Sequence, residues 1–580
     1  MAFSTIFRFR LSAFVYFMQW VPHVTSHPSK NHTIARTCRN IPGDAGWPSL
    51  HEWDLLNRTV SGRLSRSVPI GTVCHNPHYD EAACQALAAG WTYTRTFLDS
   101  PVDVVAPYFQ NQSCDPFTAV ESPCRLGNDA VYSINVSSVS DARAGILFAK
   151  RNNIRLTIKN TGHDLLGKST GKGALALWTH NLNTYEFIDE YEGFDSYRGP
   201  AARIGAGVIF DDILGAASER GFRFVTGTCP TVGPAGGFAA GGGHGILTPL
   251  YGLAADTVLE WEVVTADGSH LVATPLLHPD LYWALSGGGP GTFGVVISVT
   301  IQIFPDAPMG GASTLLDIAS AGSTEAFWDA VTVFHSSLGE LIDTPASVAY
   351  AITAEVLNVY GIAILDGNAS RVDASLEPLE AALEANGTPA TFIASNHTGY
   401  LDYYEAYFRE VFTITPEAQI NGGRLVPRAL LGNPDTAGAV TQAFRAAAEA
   451  GFNLICVATD ASKMPLHPNA VFPVWRSALL ECVVAYTWNF TVPPAEMLLK
   501  QRLLTDTIMP RIEAATPGGG SYLNEANFQQ PDWQEVFYGS NYPRLKALKH
   551  TYDPTSLFYA QTAVGSEAWA ADSDGRLCRV

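Results

Sequence analysis

Residues 227–245 read GTCPTVGPAGGFAAGGGHG. Glycine stands at Gly227, Gly233, Gly236, Gly237, Gly241, Gly242, Gly243 and Gly245, and a backbone that gives up so many side chains turns tightly or lies directly against a ligand. Successive unobstructed N–H groups in such a loop can point at one anionic or carbonyl-rich molecule. Glycine richness alone also fits a merely flexible loop. Cys229 shifts the reading, because a single cysteine in a loop of this kind is a potential covalent anchor or nucleophile whose partner lies elsewhere in the chain.

On either side of this loop the chain alternates strand and helix. Tyr132–Val136 reads as a strand, Ser140 as the cap of a helix in which Ala142, Ile146 and Ala149 share a face, and Arg155–Lys159 as the next strand. This is a βαβ pattern, and it places Asn160-Thr161-Gly162-His163-Asp164 in a turn at a strand end, where α/β loops meet ligands. Leu175–Trp178 and Arg203–Ile204 continue the strands, and Phe210–Arg220 reads as a helix. After the loop, Leu259–Val264 and His270–Ala273 flank an Asp267-Gly268 hairpin turn. A short helix at Asp280–Leu285 leads to a second glycine-rich turn, Gly287–Gly291 with Gly288 at its heart, and then to the strand Val295–Ile303. From about residue 307 longer strands follow, at Val348–Val356, Tyr360–Leu365, Leu454–Thr459 and Leu479–Trp488, with helices such as Thr324–Ser336 and Thr436–Ala450 between them. Their alternation predicts a sheet with one face under helices and the other against something else, such as a cofactor.

The amino terminus predicts the compartment. Arg8 and Arg10 precede an apolar run, Leu11–Val21, and Val24-Thr25-Ser26 offers small residues for cleavage before His27, which is a signal-peptide pattern. The run is shorter than the roughly 20 apolar residues of a spanning helix. Sequons at Asn31, Asn57, Asn111, Asn135, Asn368, Asn386, Asn396 and Asn489 agree with a secreted glycoprotein. A chain of 580 residues, 47% hydrophobic and 16% charged, can bury large cores and is long enough for two or three domains. The net charge of −19 argues against nucleic acid or an anionic membrane surface as partner, since both need a basic face. We expect a monomer that takes a small molecule and no metal.

Nine cysteines in an oxidising compartment leave at least one unpaired. Cys38, Cys74, Cys84, Cys114 and Cys124 crowd a loop-rich first quarter, Cys578 is placed to tie the carboxyl terminus back, and Cys456 and Cys482 sit in strand-like runs. Cys229 is the expected free thiol, since a disulfide there would hold the loop away from what its glycines approach. The alternative is a buried free thiol at Cys456 or Cys482. Spacing alone does not fix the pairing.

His163 in its Gly-His-Asp turn, Cys229 in Cys-Pro-Thr-Val-Gly, and Tyr552-Asp553-Pro554 with Leu557-Phe558-Tyr559 near the end resemble the berberine-bridge-enzyme-like branch of the FAD-linked oxidases with a vanillyl-alcohol-oxidase-type (PCMH) flavin domain. The resemblance covers nearly all of the mature chain, and Cys38–His75 is similar to the extended amino-terminal region of secreted fungal members, isoamyl alcohol oxidases among them. It implies an α+β fold: a signal peptide at 1–26, a cysteine-rich extension at 27–125, a two-subdomain PCMH-type FAD-binding domain at 126–306, an antiparallel-sheet substrate domain covered by helices at 307–500, and a segment at 501–580 that returns to the FAD domain. It further implies FAD held twice, through the His163 imidazole to the 8α carbon and the Cys229 sulfur to C6, links that leave the flavin a stronger electron acceptor. Gly162, Asp164, Thr228, Val232, Gly233, Gly237, Gly241, Gly242, Gly243, His244, Gly245, Gly288 and Asn524 are the further cofactor-binding candidates.

The resemblance implies hydride removal from a substrate C–H, aided by a base, with dioxygen reoxidising the flavin to give hydrogen peroxide. Tyr522-Leu523-Asn524-Glu525 is similar to the family's Tyr-x-Asn-Tyr element, and Glu525 stands where some members carry a tyrosine base. Glu525 is therefore the first candidate base and Glu481 the second, with Tyr522 beside them. A carboxylate serves if burial raises its pKa. Glu481 equally fits an edge or solvent-facing charge. Three classes remain open: an oxidase acting on an alcohol, sugar or secondary-metabolite intermediate; a dehydrogenase using another acceptor; and a silent flavin-binding protein. Val232 bears on the first two, because relatives place the residue three after the cysteine in the oxygen pocket and a small valine there goes with oxidase behaviour.

Overall fold

The computed structural model describes residues 37–193 and 197–580; the expected signal peptide, its cleavage point and the Asn31 sequon lie outside the described residues. Strands β1 (Leu64–Arg66), β2 (Tyr132–Asn135), β3 (Leu156–Lys159) and β4 (Leu175–Trp178) form one sheet in the order β1-β2-β4-β3. β2 and β3 each pair parallel with β4, which lies between them. The helix Val139–Arg151 joining β2 to β3 thus crosses over a third strand, and its stripe of Ala142, Ile146 and Ala149 packs with Ile134, Leu156 and Leu177. Ser138, not Ser140, caps that helix: its hydroxyl accepts from the Asp141 N–H, and Ser140 falls inside the first turn with its hydroxyl bonded to Ser138.

β5 (Tyr185–Ile188), β6 (Ala201–Gly205), β8 (Val258–Val264), β9 (His270–Ala273) and β10 (Val295–Gln302) form an antiparallel sheet ordered β5-β6-β10-β8-β9, and β7 (Phe222–Arg223) pairs with β11 (Phe304–Pro305). The third sheet has seven antiparallel strands, β12 (Met309–Asp317), β13 (Ala346–Ile352), β14 (Val356–Ile364), β15 (Ile393–His397), β16 (Gln419–Pro427), β17 (Asn453–Ala458) and β18 (Ala478–Thr487), ordered β15-β12-β14-β13-β17-β18-β16. The expected strand Val348–Val356 is instead two: Thr353 turns the chain, its hydroxyl accepting from the Glu355 and Val356 N–H groups, and β14 begins where the sequence pattern still alternates.

The two faces of this sheet differ as the alternation predicts. Val348, Tyr350, Leu454, Cys456, Leu480, Cys482 and Val484 pack with Phe334, Leu338, Phe444 and Ala447 of the helices Thr324–Asp343 and Pro434–Glu449. Ala349, Ile455, Val457, Glu481 and Val483 point the other way and line a cavity. Residues Cys38–Val580 form one compact unit.

Disulfides join Cys38–Cys578, Cys74–Cys84, Cys114–Cys124 and Cys456–Cys482, and leave Cys229 as a free thiol. Neither Cys456 nor Cys482 is free, because the two are register partners on β17 and β18. Cys38–Cys578 ties the carboxyl terminus back, helped by the Arg576–Asp44 ion pair at 2.8 Å. Asn111, Asn368, Asn386, Asn396 and Asn489 are exposed, while Asn57 and Asn135 are half-buried with their side-chain oxygens already accepting from the Leu64 N–H and the Asn181 amide. Among the described residues no helix is long and apolar enough to cross a membrane.

Candidate active site

A cavity of about 330 Å³ lies between the glycine loop, the turn after β3, the open face of the seven-stranded sheet and residues 522–525. The turn after β3 brings His163 to its wall, with Gly162 at φ +90°, a conformation L side chains rarely adopt. Asp164 orders the next few residues of the chain: its carboxylate accepts from the N–H groups of Leu166 and Ser169 and from the Ser169 hydroxyl, which turns Lys168 inward to donate to the Leu523 carbonyl at 3.1 Å. Burial lowers the Lys168 pKa to about 8, with Asp164 acting in the opposite sense.

The two expected anchors line the same cavity. His163 Nε2 lies 2.5 Å from the Thr231 hydroxyl, two residues after Cys229, and Nδ1 lies 3.4 Å from Glu417 Oε1. Burial lowers the His163 pKa against the pull of Glu417 and Glu525, which favours a neutral imidazole. Burial pushes the Cys229 thiol well above its ordinary value, and the Glu417 and Glu525 charges push it further. Thr228, Val232, Gly233, Gly237 and Gly245 join Cys229 on the cavity wall.

Gly241, Gly242, Gly243 and Gly288 do not line the cavity. A Cβ on Gly241 would stand 2.3 Å from the Asn524 amide nitrogen, so this glycine is required by the approach of Asn524, and one on Gly288 would strike the Ala284 carbonyl. Gly242 and Gly243 accept at their carbonyls from the Ala255 and Ala254 N–H groups, holding the loop to the turn behind it. Asn524 donates to the Gly237 carbonyl at 2.9 Å and to the Tyr522 hydroxyl at 2.8 Å, and the Gly243 N–H donates to the same hydroxyl at 3.2 Å. Tyr522 therefore clamps the loop; its proton is held still tighter by burial and by the neighbouring Glu525 charge.

Three titratable side chains converge on the cavity wall. His244 Nε2 is 3.4 Å from Glu525 Oε2 and 4.0 Å from Glu481 Oε2, with the imidazole tilted on Trp475 and edge-on to Tyr522. Glu481 is 2% exposed and faces the cavity, so it is not an edge charge. Its pKa is raised well above the ordinary value, by burial first and by the Glu525 charge and hydrogen bond second. The donor atoms of the three lie within 4.8 Å of one another, close enough to share a proton.

The match to known proteins falls on two separate stretches of the chain. Residues 132–274 match the family described as FAD binding domain, and residues 521–565 the family described as berberine and berberine like. A bifunctional decalin synthase of Penicillium decumbens is 45% identical over 552 residues, covering 94% of this chain and 96% of its own. The VAO-type flavoprotein oxidase VAO615 of Thermothelomyces thermophilus is 44% identical, covering 95% and 96%. The chain belongs to the VAO-type, berberine-bridge-enzyme-like FAD-linked oxidoreductases. The crystal structure of VAO615 from Myceliophthora thermophila C1 superposes with a TM-score of 0.89 over 94% of this chain and 100% of that one. Berberine bridge enzyme from Eschscholzia californica, 16% identical with a TM-score of 0.66, shares the fold.

The cavity of this FAD-linked oxidoreductase fits its cofactor. A Cβ on Gly237 or Gly291 would meet no protein atom nearer than 3.9 Å, so both present bare backbone to the cavity from two different loops. Asn160 Oδ1, His244 Nδ1, Asn421 Oδ1 and Glu481 Oε1 are buried without a hydrogen-bond partner, and all four residues line the cavity. Two residues of the site carry no local sequence signal. Glu417 sits in an ordinary Thr-Pro-Glu-Ala loop, and Lys168 gives itself away only by its place after a ligand-facing turn.

Proposed function

We propose that this FAD-linked oxidoreductase is a secreted oxidase that removes a hydride from the carbinol carbon of a largely apolar secondary-metabolite alcohol, with Glu525 as the base. The observation that carries the reading is the convergence of Glu525, His244 and Glu481 on the wall of the cavity that His163 and Cys229 also line. Bound FAD supplies the hydride acceptor, and dioxygen regenerates it with release of hydrogen peroxide.

Glu525 accepts the substrate hydroxyl proton as the C–H bond breaks. Glu481, kept neutral by burial, donates its hydroxyl to Glu525, and the His244 imidazole at 3.4 Å sets the orientation of the carboxylate. His163 and Cys229 hold the cofactor covalently, and the glycine loop and Pro290–Gly291 complete its noncovalent cradle. In the division implied by the resemblance, 126–306 supplies that cradle and 307–500 the substrate wall. Ala349, Tyr360, Ile455, Val457 and Val483 make the sheet side of the cavity apolar, with Gln419, Asn421 and Glu481 as its polar points. Such a wall suits a polycyclic or aliphatic alcohol better than an oligosaccharide, whose many hydroxyls each need a partner. The name of the decalin synthase relative points the same way. Four disulfides support an oxidising compartment.

The test is a panel of apolar alcohols, oligosaccharides and aromatic intermediates mixed anaerobically with the enzyme while flavin bleaching is monitored, then admission of air. Bleaching by apolar alcohols with stoichiometric peroxide is expected. Rapid reoxidation by a quinone but not by air makes the protein a dehydrogenase, and bleaching by oligosaccharides alone overturns the substrate class.

A further inference from the structure

Proton removal from the substrate leaves Glu417 unused, although it lines the cavity, meets His163 and acts electrostatically on Cys229. Its position is built. The Thr94 N–H donates to Oε2 at 2.7 Å, and the N–H groups of Glu417 and Ala418 both donate to the Thr92 carbonyl, so the cysteine-rich amino-terminal segment holds the carboxylate in place. The other oxygen faces His163 Nδ1 at 3.4 Å, and Cys229 shares the cavity wall with Glu417, near enough for the carboxylate charge to act on its thiol. With Nδ1–H directed at Glu417, Nε2 of the neutral imidazole accepts from the Thr231 hydroxyl.

We propose that Glu417 is the proton acceptor that enables Cys229 to form its covalent link to the flavin, while holding His163 in one tautomer. The inference rests on the proposed attachment of FAD through His163 and Cys229. A thiolate, not a thiol, forms such a bond, and a buried thiol beside a carboxylate supplies very little thiolate at neutral pH. A base beside the thiol removes that obstacle, since the proton moves as the bond forms. In the balanced step the Sγ–H bond breaks and its proton passes to Glu417, while the Sγ–C bond forms at C6 of the isoalloxazine. The hydrogen on that carbon leaves as a proton, and the two electrons released reduce dioxygen to hydrogen peroxide. Before the cofactor enters, the same arrangement keeps the free thiol protonated and slow to exchange with the four disulfides.

The experiment uses full-length protein produced under riboflavin limitation, loaded with FAD in air, quenched at intervals and digested for peptide mass analysis of the His163 and Cys229 links separately. In the parent both links form. In Glu417→Gln, which keeps an acceptor for the Thr94 N–H, the His163 link is expected to form while the Cys229 link slows by roughly 10²–10⁴, the usual contribution of a positioned base. Its rate should then rise about tenfold per pH unit between pH 7 and 9 as hydroxide replaces the missing base, whereas the parent rate stays nearly flat. A Cys229 link that forms in Glu417→Gln at the parent rate overturns the proposal, as does a slow rate that does not change with pH, which marks a misplaced rather than a protonated thiol. A parent without any Cys229 link overturns the two-anchor reading instead.

Discussion

Glu481→Gln isolates the proton that burial forces onto Glu481. The side chain is 2% exposed, and its pKa is raised first by burial and then by Glu525. A folded-state pKa above the unfolded one means that the folded protein holds one more proton than the unfolded chain between the two values. The stability this contributes is present below about pH 4.5 and is lost as pH rises through the window, at a slope that approaches about 1.4 kcal/mol per pH unit. Over two pH units that slope caps the loss through this one site at about 3 kcal/mol. Glutamine has the shape of the neutral acid, keeps a donor for Glu525 and does not titrate. The variant should gain on the parent as pH rises from 5 to 7, by at most about 3 °C, allowing for the small Tm change per kcal/mol in a chain of this size. Melting curves of the FAD-loaded proteins at several pH values make the measurement, and anaerobic flavin reduction at pH 7 should change little. A Tm difference that stays constant from pH 5 to pH 7 would show that Glu481 is ionised throughout and that the shared-proton account of the base is wrong.

Glu525→Gln removes the proton acceptor itself; stopped-flow flavin reduction should slow by roughly 10²–10⁴ with the absorption spectrum nearly unchanged. Acid-precipitated parent should stay yellow, His163→Ala and Cys229→Ala should each retain one link by peptide mass analysis, and the double variant should release all its FAD. Gly241→Ala drives a methyl into the Asn524 amide 2.3 Å away and breaks its bonds to Gly237 and Tyr522, at a cost of roughly 1–3 kcal/mol that thermal melting and weakened flavin retention should both register. Asp256→Asn breaks the paired bonds at 2.7 Å to Arg476, of which Asp256 is the fully buried partner, and should lower stability by about 3 kcal/mol in a denaturant titration.

The parts of the site visible in the sequence are those whose chemistry is local. Cys229 stands inside its own glycine loop, and His163 stands in a turn that the strand before it already marks, so residue type and immediate neighbours suffice. The alternation in β17 and β18 likewise foretold that the two faces of the sheet meet different partners. What stayed hidden depends on distant pairing. His244, read from the sequence as a cofactor-binding candidate, meets Glu525, 281 residues away, only once the chain folds. Glu481 reads equally well as a surface charge, since only the order of seven strands decides that its face looks into the cavity. Gly288 belongs to a glycine-rich turn yet packs on Ala284 and Leu545, because glycine answers to a close backbone approach of any kind, not to ligands alone. Glu417 had no pattern to betray it; its importance comes from Thr92 and Thr94, which reach it from the other end of the chain.

Cys456 and Cys482 face each other across β17 and β18, and Glu481 is the residue next to one of them. Side chains on a strand alternate between faces, so sliding β18 by a single residue against β17 would turn Glu481 under the helices and present Leu480 or Cys482 to the substrate. The covalent bond on the dry side of the sheet forbids that slip. Its effect is felt on the opposite side, where it fixes the identity of the group that meets Glu525, so a bond remote from the chemistry acts as a registration pin for the proton pair.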